Sequence, residues 1–207
     1  MPRHRHTRGY VAILLEGGYY ETGDRGRYAV RPGDALVHSQ FEAHQNDSAA
    51  SGARILNLPI APGLAQAGLF EVLDPDFLVR LAERDFAEAA EVFSETARQQ
   101  DRAEADWPDL LAAELRGLAP LRLSEWARRH GLAAETVSSG FARAFGVTPH
   151  LYRAEARARK AVAAIQSGAH SLAAIAVDLG FSDQAHMTRA VHSLTGGSPK
   201  QLWKLNA

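Results

Sequence analysis

Cysteine is absent from the 207 residues, which excludes disulfides, thiolate zinc sites and cysteine nucleophiles together. No apolar run approaches the length of about 20 residues that spans a bilayer, and the opening MPRHRHTRGY has no apolar stretch of the kind a secretory leader carries. These absences predict a cytoplasmic protein with no membrane partner. Net charge is nearly absent too, at −1, but only because two unlike halves cancel. Residues 118–207 hold eleven Lys and Arg against five Asp and Glu, and residues 1–117 hold twelve against nineteen. A basic C-terminal half favours a polyanionic partner through counterion release, while the acidic half is repelled by it.

What is present is organised around residues 171–199, SLAAIAVDLGFSDQAHMTRAVHSLTGGSP. Ser171 is placed to cap a short helix with Leu172, Ile175, Ala176 and Leu179 on one face, and Gly180 supplies a left-handed stop. Phe181 enters the core, and Ser182 is expected to cap a second helix that turns Met187, Val191 and Leu194 inward. Gln184, Ala185, Thr188 and Arg189 fall on its other face. Two short helices around a glycine turn make a helix-turn-helix pattern. The run I-A-x-x-L-G-F-S-D-Q-x-H-M-T-R, followed by T-G-x-S-P, resembles the second helix-turn-helix of the AraC/XylS family of bacterial transcription regulators. The resemblance covers roughly residues 120–202 and implies that the helix over 182–194 enters a DNA major groove. The missing thiol separates the chain from family branches fused to cysteine-dependent modules.

An internal repeat supports a second such unit. Phe141 with Gly146-Val147-Thr148-Pro149 recurs as Val191 with Gly196-Gly197-Ser198-Pro199, about fifty residues on. In the first unit Leu123, Trp126 and Ala127 line a supporting helix, Gly131 makes the turn, and Val137 and Phe141 face inward. Its groove-facing candidates are Glu135, Ser138 and Ser139. Ser139 and Gly140 stand where the family often has Arg and an apolar residue, and Gly140 costs about 1 kcal/mol of helix stability relative to Ala. Between the units, Thr148 and Pro149 start a helix that Gly168 ends, a spacer of about 28 Å at about 1.5 Å per residue. Arg153 and Arg157, with Arg159 and Lys160, are its candidate phosphate contacts.

Residues 10–60 have β character, in YVAILLEGGYY, RYAV, ALVHS and ARILNLPI, separated by ETGDRG and RPGD. A small antiparallel barrel is expected, ended by Pro59, Pro62 and Gly63. His4 and His6 alternate on an edge strand, so their rings point the same way, and His44 follows the Gly33-Asp34 turn. This arrangement resembles the metal site of cupins over about residues 4–60. Tyr10 and Val11 stand where cupins usually supply a glutamate, and Ser39 and Phe41 replace the usual Pro and Gly. His4, His6 and His44 are therefore the expected ligands of one divalent metal, Zn or Ni suiting imidazoles best. RHRHTR also reads as a basic arm. His38 is a further ligand candidate that otherwise reads as a satisfied core histidine.

From Asp74 the chain turns helical, in DPDFLVRLAER and in DFAEAAEVFSETARQQ, whose Phe86, Ala89, Ala90, Phe93 and Ala97 share a face. That face is expected either to pack on the barrel or to form a homodimer contact. Residues 98–106 read as a loop, 107–115 as a short helix, and 117–120 as the domain boundary. The fold class expected is α+β: a cupin-like sensor barrel over 1–62, a helical connector and dimerisation region over 63–117, and an all-α double helix-turn-helix domain over 118–207. The expected function is a DNA-binding transcription regulator and not an enzyme, responsive to a metal or small-molecule effector. Its partners are double-stranded DNA and, for an activator, RNA polymerase. A metal-dependent cupin enzyme fused to a DNA-binding domain and an effector-independent DNA-binding protein remain as alternatives.

Overall fold

The computed structural model describes residues 1–61, 64, 67–102, 106–168 and 170–204, with the side chains of 48–51, 203 and 204 left aside. Pro62 and Gly63 lie outside the described residues. The chain divides into two compact units, Met1–Glu104 and Ala105–Ala207.

The first unit is built on an antiparallel seven-stranded sheet: β1 (His4–Arg5), β2 (Tyr10–Gly23), β3 (Gly26–Val30), β4 (Asp34–His38), β5 (Ala43–Pro59), β6 (Gly68–Glu71) and β7 (Arg98–Gln99). Pairing runs β1-β5-β2-β4-β6-β7, with β3 also on β2. Where a closed barrel is expected, the described ladder has two ends, β1 and β7. Its bend comes from the long β2 and β5, whose register shifts between Leu14 and Glu16 and between Gly17 and Tyr19. Such bulges turn a strand. They let β2 pair with β4 through its first residues and with β3 through its last.

Two short strands were not expected. β6 and β7 pair with each other, and Gln100 N–H donates to Leu69 O at 2.8 Å. The segment after residue 97 thus returns to the sheet where a loop is expected, and the sheet extends beyond residue 62. Exposed, polar Arg98 and Gln99 carry no alternation long enough to be recognised as a strand.

Helices α1 (Pro75–Ala82) and α2 (Phe86–Thr96) are capped by Asp74 and Asp85, whose carboxylates accept backbone N–H groups of the first turn. Leu78, Ala89, Ala90 and Phe93 pack with Val11, Ile13, Val37, Leu58 and Phe70 in one core. The α2 face considered for dimerisation is therefore buried within its own unit, although Phe86 stays exposed. The other sheet face buries Leu14, Tyr19, Tyr28, Leu36 and Leu69. β4, covered on both faces, is buried along its whole length.

The second unit is helical: α3 (Trp107–Arg116), α4 (Leu123–Arg129), α5 (Ala134–Phe145), α6 (Pro149–Ser167), α7 (Leu172–Asp178), α8 (Gln184–Thr195) and α9 (Pro199–Lys204). α3 packs its Leu111, Ala112 and Leu115 with Trp126, Phe141, Phe145 and Tyr152. This corrects the expected boundary at residues 117–120, because α3 shares the helical core and is no part of a connector. No helix of the described residues is long and apolar enough to cross a membrane.

Candidate nucleic-acid interface and histidine cluster

The fifty-residue repeat appears as two matched helix pairs. α4 and α5 are joined through Gly131, α7 and α8 through Gly180, both glycines left-handed at φ 66° and 69°. α5 and α8 have 12 residues each and both end on left-handed glycines, Gly146 and Gly196. Thr148 then caps the 19-residue α6. The cap of α8 is Asp183, which accepts from His186 N–H at 2.6 Å, and the expected Ser182 instead places its hydroxyl 3.0 Å from His186 Nδ1. A carboxylate is the stronger partner for the exposed N–H groups and positive end of a helix. That backbone bond, more than any side chain, holds the Asp183 carboxyl below its ordinary range.

On α8, Met187, Val191 and Leu194 are buried while Gln184, Ala185 and Arg189 are exposed and Thr188 is half-buried. On α5, Val137, Phe141 and Phe145 are buried while Glu135, Ser138 and Ser139 are exposed. The hydroxyl of Ser139 already donates to Glu135 O at 2.8 Å. The expected groove-facing residues therefore lie on the free faces of two equivalent helices.

The α6 cations expected at phosphates make contacts within their own unit. Arg153 donates to Ala119 O at 2.7 Å and Leu121 O at 3.3 Å. Arg157 donates to Gly180 O at 3.0 Å, its guanidinium 5.5 Å from the centre of the Phe181 ring. Lys160 reaches Arg116 O. These side chains tie the spacer to the end of α3, the segment leading into α4 and the turn before α8. A basic, solvent-facing helix pattern does not distinguish such internal donors from phosphate contacts.

The sequence family described as "Helix-turn-helix domain" matches residues 126–204. The second unit contains a helix-turn-helix domain. Among solved structures, the chain is similar to a transcriptional regulator with an AraC-type DNA-binding domain from Chromobacterium violaceum, at 20% identity over 47% of this chain and 88% of that one, with a TM-score of 0.43. A probable AraC family transcriptional regulator from Rhodopseudomonas palustris matches at 20% identity over 48% and 92%, TM-score 0.42. ToxT from Vibrio cholerae matches at 10% identity over 100% and 97%, TM-score 0.46. No curated protein matches the sequence.

Within the helix-turn-helix domain, Gly140 has a packing reason. A Cβ there would stand 2.6 Å from Trp107 Cζ2 and 2.8 Å from Cη2. The glycine lets α3 lay its indole against α5, so the residue that weakens the helix locally admits the aromatic that covers it. Gly140→Ala is expected to destabilise the protein by about 1–2 kcal/mol, overpacking outweighing the gain in helix propensity. Chemical denaturation measures this; a variant more stable by about 1 kcal/mol would show that the indole swings away freely.

The histidines of the first unit converge as expected and acquire companions. β1 pairs His4 with His44 across β5, and their Nε2 atoms lie 3.0 Å apart. His4 Nδ1 is 3.0 Å from Pro2 O. His6 reaches the same point through Tyr10, whose hydroxyl is 3.5 Å from His6 Nε2 and 3.4 Å from His44 Nε2. Phe41, standing where the cupin pattern has Gly, takes a left-handed φ of 63°, and its N–H donates to His6 O at 3.0 Å. The turn before His44 is thus held against the N-terminal arm.

Two further groups stand behind His44. Glu21 Oε2 lies 3.2 Å from His44 Nδ1 and 3.6 Å from His38 Nε2, all three residues buried. Asn46, with its amide turned to satisfy both ends, donates to the same oxygen at 3.2 Å. Burial pushes the His38 imidazole down to about 4, overriding the opposing pull of Glu21, with the other histidines adding to the fall. The His6 ring is lowered too, by its burial and then by His44 and His4. Burial, then Glu21, holds the Tyr10 and Tyr19 phenols above their ordinary range.

Glu21 supplies the cluster with a carboxylate from outside the cupin pattern, whose glutamate position is held by Tyr10 and Val11. The stretch ETGDRG reads as a turn between strands, but β2 continues to Gly23 and the hairpin closes across Gly23 and Gly26. Glu21 is therefore a strand residue on the same face as Tyr19. The alternation Tyr19, Glu21, Gly23 was the available signal, masked by turn-forming neighbours. A cavity of about 630 Å³ adjoins the cluster, lined by His4, His6, Tyr10, Tyr19, Glu21 and His38 among others.

Proposed function

We propose that the chain is a sequence-specific DNA-binding transcription regulator whose first unit responds to a bound metal or small molecule. The observation that carries the DNA reading is α8, a capped helix with Met187, Val191 and Leu194 buried and Gln184, Ala185 and Arg189 free. Arginine at such a position can donate two hydrogen bonds to the major-groove edge of guanine. Genomic footprinting of the bound protein identifies its operator, and Arg189→Ala is expected to cost about 1–3 kcal/mol there. Unchanged operator affinity in a folded variant removes Arg189 from base reading.

The sensor reading rests on the convergence of His4, His6 and His44 beside the cavity. Three neutral imidazoles can hold one first-row divalent ion and leave positions for water or an effector. Zinc or nickel is expected to bind at one ion per chain and raise the melting temperature, and His44→Ala to lose that ion. Elemental analysis and calorimetry test this; a wild type without metal or metal-linked stabilisation makes these histidines structural. The same cavity also supports a second reading, a metal-dependent enzyme. Incubation with metals and candidate metabolites separates them: stabilisation without turnover marks a sensor, product formation an enzyme. A homodimer and contact with RNA polymerase are further expectations of the regulator reading.

A further inference from the structure

The ring of His44 faces a different partner through each nitrogen. Nε2 meets His4 Nε2 at 3.0 Å, and Nδ1 meets Glu21 Oε2 at 3.2 Å. His4 Nδ1 lies 3.0 Å from Pro2 O, an acceptor only, so the His4 proton belongs on Nδ1 and its Nε2 offers a lone pair. A neutral His44 has one proton for two acceptors. In either neutral tautomer one face sets lone pair against lone pair, a clash that a second ring proton or a metal cation relieves.

The inner face has the stronger donor set. Among the described residues His38 Nε2 and His44 Nδ1 are buried with no well-aligned hydrogen bond, and both lie beside a carboxylate only 4% exposed. Buried charge is ordinarily paired or metal-bound. The three donor atoms lie within 4.8 Å of one another. Ligands about 2.0–2.2 Å from a tetrahedral ion stand about 3.3–3.6 Å apart, close to the 3.2 and 3.6 Å separations about Glu21 Oε2.

We propose that Glu21, His38 and His44 form a second divalent-cation position, behind the one expected on His4, His6 and His44. The two share His44, so one ion and one ring proton occupy its two faces in either order. With the ion inside, His44 Nε2–H donates to His4; with it outside, His44 Nδ1–H donates to Glu21. Two imidazoles and a carboxylate with open positions suit Fe(II) and Mn(II) as well as Zn(II), widening the metal range beyond that of an all-histidine site. Glu21 and His38 also line the cavity, so an effector bound there would reach the ion.

This inference rests on the metal reading above, and its test separates the two. The full chain is titrated with Co(II), followed by visible absorption, and loaded with Zn(II) for elemental analysis. The variants are His4→Ala/His6→Ala, Glu21→Gln/His38→Ala and all four substitutions together. Each double variant is expected to keep one ion per chain, weakened no more than about 100-fold, and the quadruple variant none. If His4→Ala/His6→Ala melts like the metal-free wild type but binds no ion, the inner position is overturned and the outer one stands. A wild type that binds no ion overturns both. Should that double variant not fold, Glu21→Gln in the otherwise intact chain must alter the Co(II) spectrum, and an unchanged spectrum overturns the proposal.

Discussion

Replacing Gln184 and Arg189 together by Ala is expected to weaken operator binding by about 2–6 kcal/mol, each lost two-bond contact to a base being worth about 1–3 kcal/mol. Ser138→Ala/Ser139→Ala is expected to change affinity less than about tenfold, since a neutral hydrogen bond contributes about 0.5–1.5 kcal/mol. The structure strengthens the asymmetry. Ser139 already donates its hydroxyl to Glu135 O, and Glu135 places an exposed carboxylate on the free face of α5. On α8 the corresponding face has a long amide and a guanidinium. Binding to the cognate site and to scrambled sequences, at fixed salt, measures the difference. Equal losses of discrimination from both double variants would make α5 a full reader.

The second large effect is on stability. Trp126→Ala is expected to cost about 3–5 kcal/mol, enough to unfold a marginal domain. The indole is fully buried, its N–H donates to Glu114 Oε1 at 2.8 Å, and its ring stacks on His130 with centroids 3.8 Å apart. Deleting it opens a cavity among Leu111, Phe141 and Tyr152 and removes one of two donors to the Glu114 carboxylate, Arg129 remaining at 3.3 Å. Glu114 belongs to α3, so the substitution also weakens the hold of that helix on α4, leaving the exposed Arg129–Glu114 pair. Urea denaturation should show a lower midpoint, and loss of DNA binding should follow the unfolded fraction. A variant that unfolds with the wild-type midpoint would mean that this core collapses around the gap.

The helical unit was largely legible in the sequence because its determinants are local. Apolar spacing at three and four residues, caps at Ser171 and Thr148, and glycine stops at Gly168 and Gly180 each act within a turn of chain and are present in the structure, while the cap expected of Ser182 passes to Asp183. The free face of α8 follows from which residues are apolar. Convergence of His4 and His44 was legible too, since an alternating pair on an edge strand and a return after a turn carry the geometry.

What the sequence left open depended on partners distant along the chain. Gly140 reads as a flaw in a helix until Trp107 of α3 is laid against it. Arg153 and Arg157 read as candidate phosphate contacts, and no spacing rule shows that the carbonyls of Ala119, Leu121 and Gly180 lie within their reach. The pairing of β6 with β7, the extension of β2 through Glu21 and the gathering of Glu21 and His38 around His44 were decided by tertiary structure. Hydrogen bonding across a sheet and the desolvation of a carboxylate among imidazoles are set by neighbours in space, and no spacing rule within a single segment encodes them.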